Sequence, residues 1–272
     1  MRNAGRWLVG LLAVAMVAPF LYMVSTSLMA DFEVFQWPPP LLPASPRWGN
    51  YGAALTALPF GRFFLNGAIV SACVVVGQVA TSAAAAYAFA RLRFPGRDRV
   101  FLGFLGVLMV PAVALLVPRF LIVNAFGWVD SYAGLISTEL VSVWGIFLLR
   151  QFFLTLPREL EDAARLDGAG EWTIFWRVVL PLSKPALAML AVLAFVDQWR
   201  SFLWPLVVTR SVEMQVVEVG LATFHGGYAT NWPYQMAAAV TAILPLLAVF
   251  FVAQRYFLSA ISWQATGRSN SS

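Results

Sequence analysis

The chain has 272 residues, of which 60% are hydrophobic, 15% aromatic and 11% charged, with 18 basic and 13 acidic residues and a formal net charge of +5. A soluble domain carries about 25% charged residues, so this chain cannot clothe a water-facing surface, and its apolar excess equally excludes intrinsic disorder. A single cysteine (Cys73) excludes a disulfide framework, a single histidine (His225) excludes a His-rich metal site, and the one lysine (Lys184) lies in Pro-Leu-Ser-Lys-Pro rather than in a glycine-rich phosphate loop.

A helix crosses the hydrocarbon layer with about 20 apolar residues. Residues 7–28 form the first expected span, too long for the apolar part of a signal peptide and so expected to be retained. Residues 31–62 hold Pro38, Pro39, Pro40, Pro43, Pro46 and Pro59 and read as an extramembrane loop. In the second span, 63–90, small residues recur at every fourth position (Gly67 and Ser71, then Gly77, Thr81 and Ala85), a spacing that lets helices approach closely in lipid. Arg91, Arg93, Arg97 and Arg99 around Pro95-Gly96 make the densest positive cluster. The third span, 100–123, carries Pro111 and Pro118 on nearly one face and is expected to kink or partly unwind. A short external turn at 124–130 leads to the fourth span, 132–149, with Glu139 as an isolated acid. Residues 150–184 are polar and mixed in charge. The fifth span, 185–208, is interrupted by Asp197 and Arg200; 209–233 is an external loop, 236–257 the sixth span, and 258–272 a frayed tail. The expected division is therefore 1–62 (first helix and loop), 63–257 (five-helix transmembrane unit) and 258–272 (tail).

A pI near 9.8 would suit nucleic acid only if basic residues clustered on an exposed polar face, whereas these arginines stand at the ends of apolar stretches. No nucleic-acid partner is expected. Placing both termini in the cytoplasm puts most of the basic residues inside, as the positive-inside rule requires.

Within 150–184, residues 155–168 have the marks of a short bounded helix. Pro157 suits its first turn, Glu159, Glu161 and Asp162 favour the positive end of its dipole, and Gly168 can end it in a left-handed conformation. Leu160, Ala163, Ala164 and Asp167 share one face; Arg158 with Asp162, and Glu161 with Arg165, are spaced to pair. Residues 171–180 bring Trp172, Phe175, Trp176 and Val179 together, an aromatic helix for the membrane interface before Pro181 and Pro185. Periodicity alone leaves both a solvated loop helix and a docking helix open.

Asp162-Ala163-Ala164, then Gly168, then Val178-Val179-Leu180-Pro181, closely resembles the Glu-Ala-Ala, Gly, Ile-x-Leu-Pro signature of permease subunits of bacterial ABC importers, with Asp162 standing for Glu and Val178 for Ile. Tyr-Ala-Phe-Ala-Arg-Leu-Arg-Phe-Pro-Gly-Arg at 87–97 and Arg-Gln-Phe-Phe-Leu-Thr-Leu-Pro at 150–157 resemble the carbohydrate-uptake branch, of maltose or glycerol-3-phosphate type, as do the stretches 130–135 and 202–206. The resemblance covers about residues 63–257. It implies an all-α polytopic membrane protein with six transmembrane helices and the type I ABC importer permease fold, in the bacterial cytoplasmic (inner) membrane. Such a chain is a transport subunit rather than an enzyme. It binds no cofactor of its own, and ATP is used by two separate ATP-binding subunits. Further implied partners are a sister permease, expected to be a different chain, and an extracytoplasmic solute-binding protein.

In that family 158–168 is the coupling helix that enters a groove on the ATPase. Its implied coupling residues are Glu159, Glu161, Asp162, Ala163, Ala164, Arg165, Asp167 and Gly168, with Leu180 and Pro181 following, and a rigid link is expected through the interfacial helix to span five. The loop tip His225-Gly226-Gly227-Tyr228 is implied to reach the binding protein, with a flexible connector equally open. Candidate pathway residues are Glu139, Asp197, Gln198, Trp199, Arg200 and Trp204. Relatives have Trp-Asn where this chain has Trp199-Arg200; an ion pair between Asp197 and Arg200 is expected over direct solute contact. Gln198, Trp199 and Trp204 could meet a sugar, although aromatic residues at span ends are more often interfacial anchors. Glu139 could line the pathway or bond to a neighbouring subunit. The tail lacks the glycines and lysine of relatives, so no tail contact to the ATPases is carried over. Rival readings are a permease for a polyamine or amino acid, and a secondary transporter or channel. A lone histidine in a loop and the lack of paired embedded carboxylates argue against an intramembrane enzyme.

Overall fold

In lipid a backbone satisfies its hydrogen bonds by coiling. The computed structural model, which describes residues 2–224 and 231–267, is helical, with no strand among the described residues. Helix α1 (Arg2–Ser27) is apolar on every side and largely uncovered by the rest of the chain. The proline-rich segment after it is ordered rather than a featureless loop. It holds α2 (Asp31–Val34) and α3 (Gly49–Ala57), and is pinned by buried polar groups. The Glu33 carboxylate accepts from the N–H groups of Ala30 (2.6 Å) and Ala44 (3.1 Å), and Asn50 Nδ2 donates to the carbonyls of Ser27 and Met29.

Helix α4 (Phe60–Arg91), 32 residues long, is the central element and packs on the fourth and fifth spans. Its small residues do what their spacing predicts. The ring of Trp199 lies over Gly67 and the side chain of Leu140 lies over Gly77, where a Cβ would collide with it, so neighbouring side chains pack directly on the α4 backbone there.

The third, fourth and fifth spans are each broken. Helices α5 (Arg97–Val107) and α6 (Leu116–Ala125) are joined by a 3₁₀ turn at Ala112–Leu115, and the two arms lie 94° apart. The expected kink or partial unwinding is thus present, as a sharp break. Pro111 precedes the 3₁₀ turn and ends the first arm, whereas Pro118 falls in the first turn of α6, where its missing N–H costs nothing. Helix α7 (Tyr132–Ile136) with a 3₁₀ turn at Ser137–Glu139 meets α8 (Val143–Thr155) at 43°. Each arm starts at a serine cap: Ser131 Oγ accepts from Gly134 N–H and Ser142 Oγ from Gly145 N–H. After α9 (Glu159–Leu166) come α10 (Glu171–Ile174), a π-helical turn at Phe175–Val179 and α11 (Leu180–Leu182). The chain then turns by 77° into α12 (Lys184–Trp199). That helix stops short of the expected span end, and α13 (Leu203–Val208) is separate. Helix α14 (Val217–Thr223) lies in the loop before the sixth span. Helix α15 (Trp232–Gly267) carries on well past Phe257, so the described part of 258–272 is helix rather than frayed tail. Three helices (α1, α4, α15) are long and apolar enough to cross a membrane, and each bent pair counted as one span brings the total to six.

Candidate functional site: an ion-paired loop helix and a membrane cavity

Helix α9 is built by its ends. Glu159, Glu161 and Asp162 occupy its first turn, with Pro157 just outside it. At the other end Gly168 (φ 84°) closes a double hydrogen bond, its N–H donating to Arg165 O (3.0 Å) and that of Ala169 to Ala164 O (2.9 Å).

The charges of α9 divide between two faces. Glu161 points inward and is buried, with its Oε1 2.8 Å from Nε of Arg91; the two side chains are 4% and 2% exposed. Arg91 Nη2 also donates to Leu156 O (2.7 Å). Arg165 lies between three carboxylates, at 3.5 Å from Glu161, 2.8 Å from Asp162 and 2.9 Å from Glu171. The hydrogen bond to Glu171 does most to raise its pKa, and Asp162 and Glu161 add to it. Tyr87 of α4 donates to Glu171 Oε2 (2.6 Å). The Glu161–Arg165 pair thus forms as its spacing predicts, but Asp162 pairs with Arg165 instead of with Arg158, which extends from the N-cap.

The outward face is Glu159, Leu160, Asp162, Ala163, Leu166 and Asp167. Leu166, 89% exposed, is its most prominent apolar group and is absent from the face predicted by spacing; Ala164 is instead half-buried against the core. Leu180 is half-buried against the core cluster that holds Phe153, Phe175 and Val179, and Pro181 is the second residue of α11, so neither belongs to that face. Of the four interfacial residues grouped by spacing, Phe175 and Val179 are buried, whereas Trp172 and Trp176 stay exposed.

On the other side of the bundle lies a cavity of about 920 Å³. Its wall includes Ala112 and Val113 in the 3₁₀ turn of the third span, Glu139 and Ser142 around the break in the fourth, and Arg200, Ser201 and Phe202 between α12 and α13. Non-helical backbone at membrane depth is tolerated where it lines such a cavity. Glu139 is not isolated: Arg119 of α6 pairs with it, donates to Thr138 Oγ1 (2.7 Å) and lies 4.3 Å over the ring of Trp204. Gln78 Nε2 donates to Glu139 O and Thr81 Oγ1 to Leu140 O, both at 2.8 Å.

The other pathway candidates separate. Asp197, Gln198, Arg200 and Trp204 line the cavity. The expected Asp197–Arg200 ion pair does not form; α12 ends at Trp199, and Arg200 at its C-cap leaves the register that would lay it over Asp197. Glu218 of α14 has its pKa raised by burial, which the charge of Arg200 offsets only in part. Trp199 is a core residue, its Nε1 donating to Ala242 O (3.1 Å) and its ring stacked on Phe195. Trp204 is buried, donates to Gly134 O (3.2 Å) and has a face covered by Arg119, which leaves Trp144 as an exposed ring in the wall. Arg119, Gln78 and Trp144 were not reachable by spacing, since their partners lie on other spans. His225, Gly226, Gly227 and Tyr228 lie outside the described residues.

Residues 77–263 match the family described as the binding-protein-dependent transport system inner membrane component. The chain is 36% identical over 262 residues to the sn-glycerol-3-phosphate transport system permease protein UgpE of Pectobacterium atrosepticum, covering 93% of this chain and 92% of that one. Against the protein of the same name from Rhizobium meliloti it is 34% identical over 257 residues, with 91% of each chain covered. A chain in the crystal structure of a bacterial ABC transporter involved in the import of the acidic polysaccharide alginate superposes with a TM-score of 0.83 at 26% identity, over 94% of this chain and 95% of that one. A chain of bacterial alginate ABC transporter in complex with an alginate pentasaccharide-bound periplasmic protein shares the fold, with a TM-score of 0.67 at 16% identity over 93% of each. A broken-helix bundle around a cavity, with an exposed helix on its polar loop, is thus a type I ABC importer permease fold, and the chain belongs to the family of inner membrane components of binding-protein-dependent transport systems.

Proposed function

We propose that the chain is one of two permease subunits of an ATP-driven importer that moves a sugar, an oligosaccharide or a polyol phosphate into the cytoplasm. Separate ATPase subunits dock on the outward face of α9, this chain holds no nucleotide or cofactor, and an extracytoplasmic binding protein delivers the solute to the cavity. Both termini lie in the cytoplasm, and a different permease chain completes the pore.

The observation that carries this reading is that α9 leaves Leu160, Ala163 and Leu166 uncovered while its inner face is ion-paired to the bundle that forms the cavity. A solvated loop helix has no reason to expose its leucines and bury its glutamate. The solute class rests on the relatives, named for sn-glycerol-3-phosphate, and on the cavity wall, where Arg200, Asp197, Gln78 and Gln198 offer donors and acceptors to hydroxyl and phosphate groups beside the exposed ring of Trp144. A polyamine would want a wall of net negative charge, whereas here Arg119 and Arg200 equal Glu139 and Asp197 in number.

The test is uptake by the reconstituted importer, with the solute identified as the ligand of the binding protein encoded beside this chain. Deleting residues 159–168 should abolish ATP-dependent uptake. Uptake that survives the deletion overturns the reading in favour of a self-sufficient transporter.

A further inference from the structure

Resting on that reading, the path of force from α9 to the cavity can be traced in this chain. The interfacial route runs through a π-helical turn and then a 77° bend into α12. A π turn and a bend are compliant places in a helix. Helix α4, by contrast, is continuous from Phe60 to Arg91 without an internal proline.

At its cytoplasmic end α4 grips α9 through Arg91 and Glu161. Desolvating both partners of an ion pair is costly, so a pair this deeply buried contributes little net stability, and its effect is to hold one geometry. Arg91 Nη2 on Leu156 O fixes the entry to α9, and Tyr87 on Glu171 fixes the exit. Thirteen residues earlier along α4, about 20 Å at 1.5 Å per residue, Gln78 and Thr81 bond the carbonyls of Glu139 and Leu140. Those carbonyls belong to the broken backbone of the fourth span, whose Glu139 side chain holds Arg119 in the cavity wall. Gly77 removes any cushion at that junction, because its backbone lies directly against Leu140.

We propose that Arg91 is a positioning residue for energy coupling: through Glu161 it makes α9 and α4 one rigid body, so that movement imposed on α9 by the ATPases reaches the break at Glu139–Leu140 and reshapes the Arg119 side of the cavity. The interfacial helix is braced by this unit rather than being the main conduit.

The experiment uses the assembled importer in proteoliposomes and reads solute moved per ATP hydrolysed. A purely structural role would lower assembly, hydrolysis and uptake together. Arg91→Gln and Glu161→Gln should instead leave ATP hydrolysis by the assembled complex within about threefold while uptake falls by about tenfold or more, and the exchange Arg91→Glu with Glu161→Arg should restore the ratio to within about threefold. Should the single variants not assemble, Thr81→Val decides: it removes the hydroxyl that reaches Leu140 O, far from α9, and should lower the ratio by about threefold. A wild-type ratio in Arg91→Gln, a charge exchange that assembles but stays uncoupled, or a wild-type ratio in Thr81→Val overturns the α4 route. Failure of the unmodified importer to take up solute with ATP would overturn the functional reading instead, so the two failures are distinguishable.

Discussion

Helix α9 and the cavity wall both concentrate charge in a chain that has little of it, yet they use it in opposite ways. On α9 the one buried charge is committed, Glu161 to Arg91 and Arg165, and the exposed Arg165 is held by three carboxylates. What faces outward is a short surface of leucine, alanine and acid. In the cavity the pair Arg119–Glu139 spans two broken helices and covers Trp204, while Asp197 and Arg200 stand in the wall without pairing to each other. In the proposed function the first arrangement fixes geometry for the docking ATPase. The second holds part of the wall still and leaves part of it free to meet a solute.

This contrast can be broken or sharpened by substitution, beginning with the largest effect. Gly134→Val in α7 would put a side chain against Trp128 O, only 2.2 Å from where its Cβ must lie, and should cost about 3 kcal/mol or more, seen as loss of folded protein on thermal denaturation in detergent. Arg119→Ala leaves Glu139 unpartnered in the wall and should cost about 2 kcal/mol; a double-mutant cycle with Glu139→Ala should return a coupling of about 1–3 kcal/mol. A coupling near zero would show that the pair is not what holds the second break to α6. Gly168→Ala forces a side chain onto a backbone at φ 84° and should destabilise the end of α9 by about 1 kcal/mol, read as weaker co-purification of the ATPase subunits with the bundle otherwise intact.

Arg200→Asn breaks no contact ion pair and removes only the longer-range attraction to Glu218, so it should cost no more than about 1 kcal/mol while raising the solute concentration needed for half-maximal uptake. Unchanged uptake kinetics would place Arg200 outside the solute's reach. The smallest effect concerns Asp130, whose carboxylate accepts from the N–H groups of Arg210 and Ser211 and from Ser211 Oγ, holding its pKa below the usual carboxylate value. A depressed folded pKa contributes stability that is present above the unfolded value and lost as pH falls through the folded one. Asp130→Asn should remove that acid-side dependence from the denaturation profile.

Much of α9 was legible in the residues because its determinants are local. Acids in the first turn, a glycine past the end and charges four apart all act within one or two turns of helix, and so does the pairing of Glu161 with Arg165. Among the features of α9 that escaped, Arg91 behind Glu161 lies 70 positions away across a membrane span. The prolines announced that the third span would bend, but not that it would turn through 94°. Trp199 illustrates the opposite error: its position at a span end suggested anchor or solute contact, while Gly67 on another helix had opened a slot that buries it.

Composition and periodicity by themselves determined that this chain lives in lipid, roughly where it crosses, and where its polar loop lies, because the cost of burying charge in hydrocarbon acts on each stretch independently of its neighbours. Only the tertiary structure decided which backbone breaks face one another, which charges are matched and which are left free. Those outcomes depend on side chains brought together from different spans, and no spacing along one helix records how two helices pack.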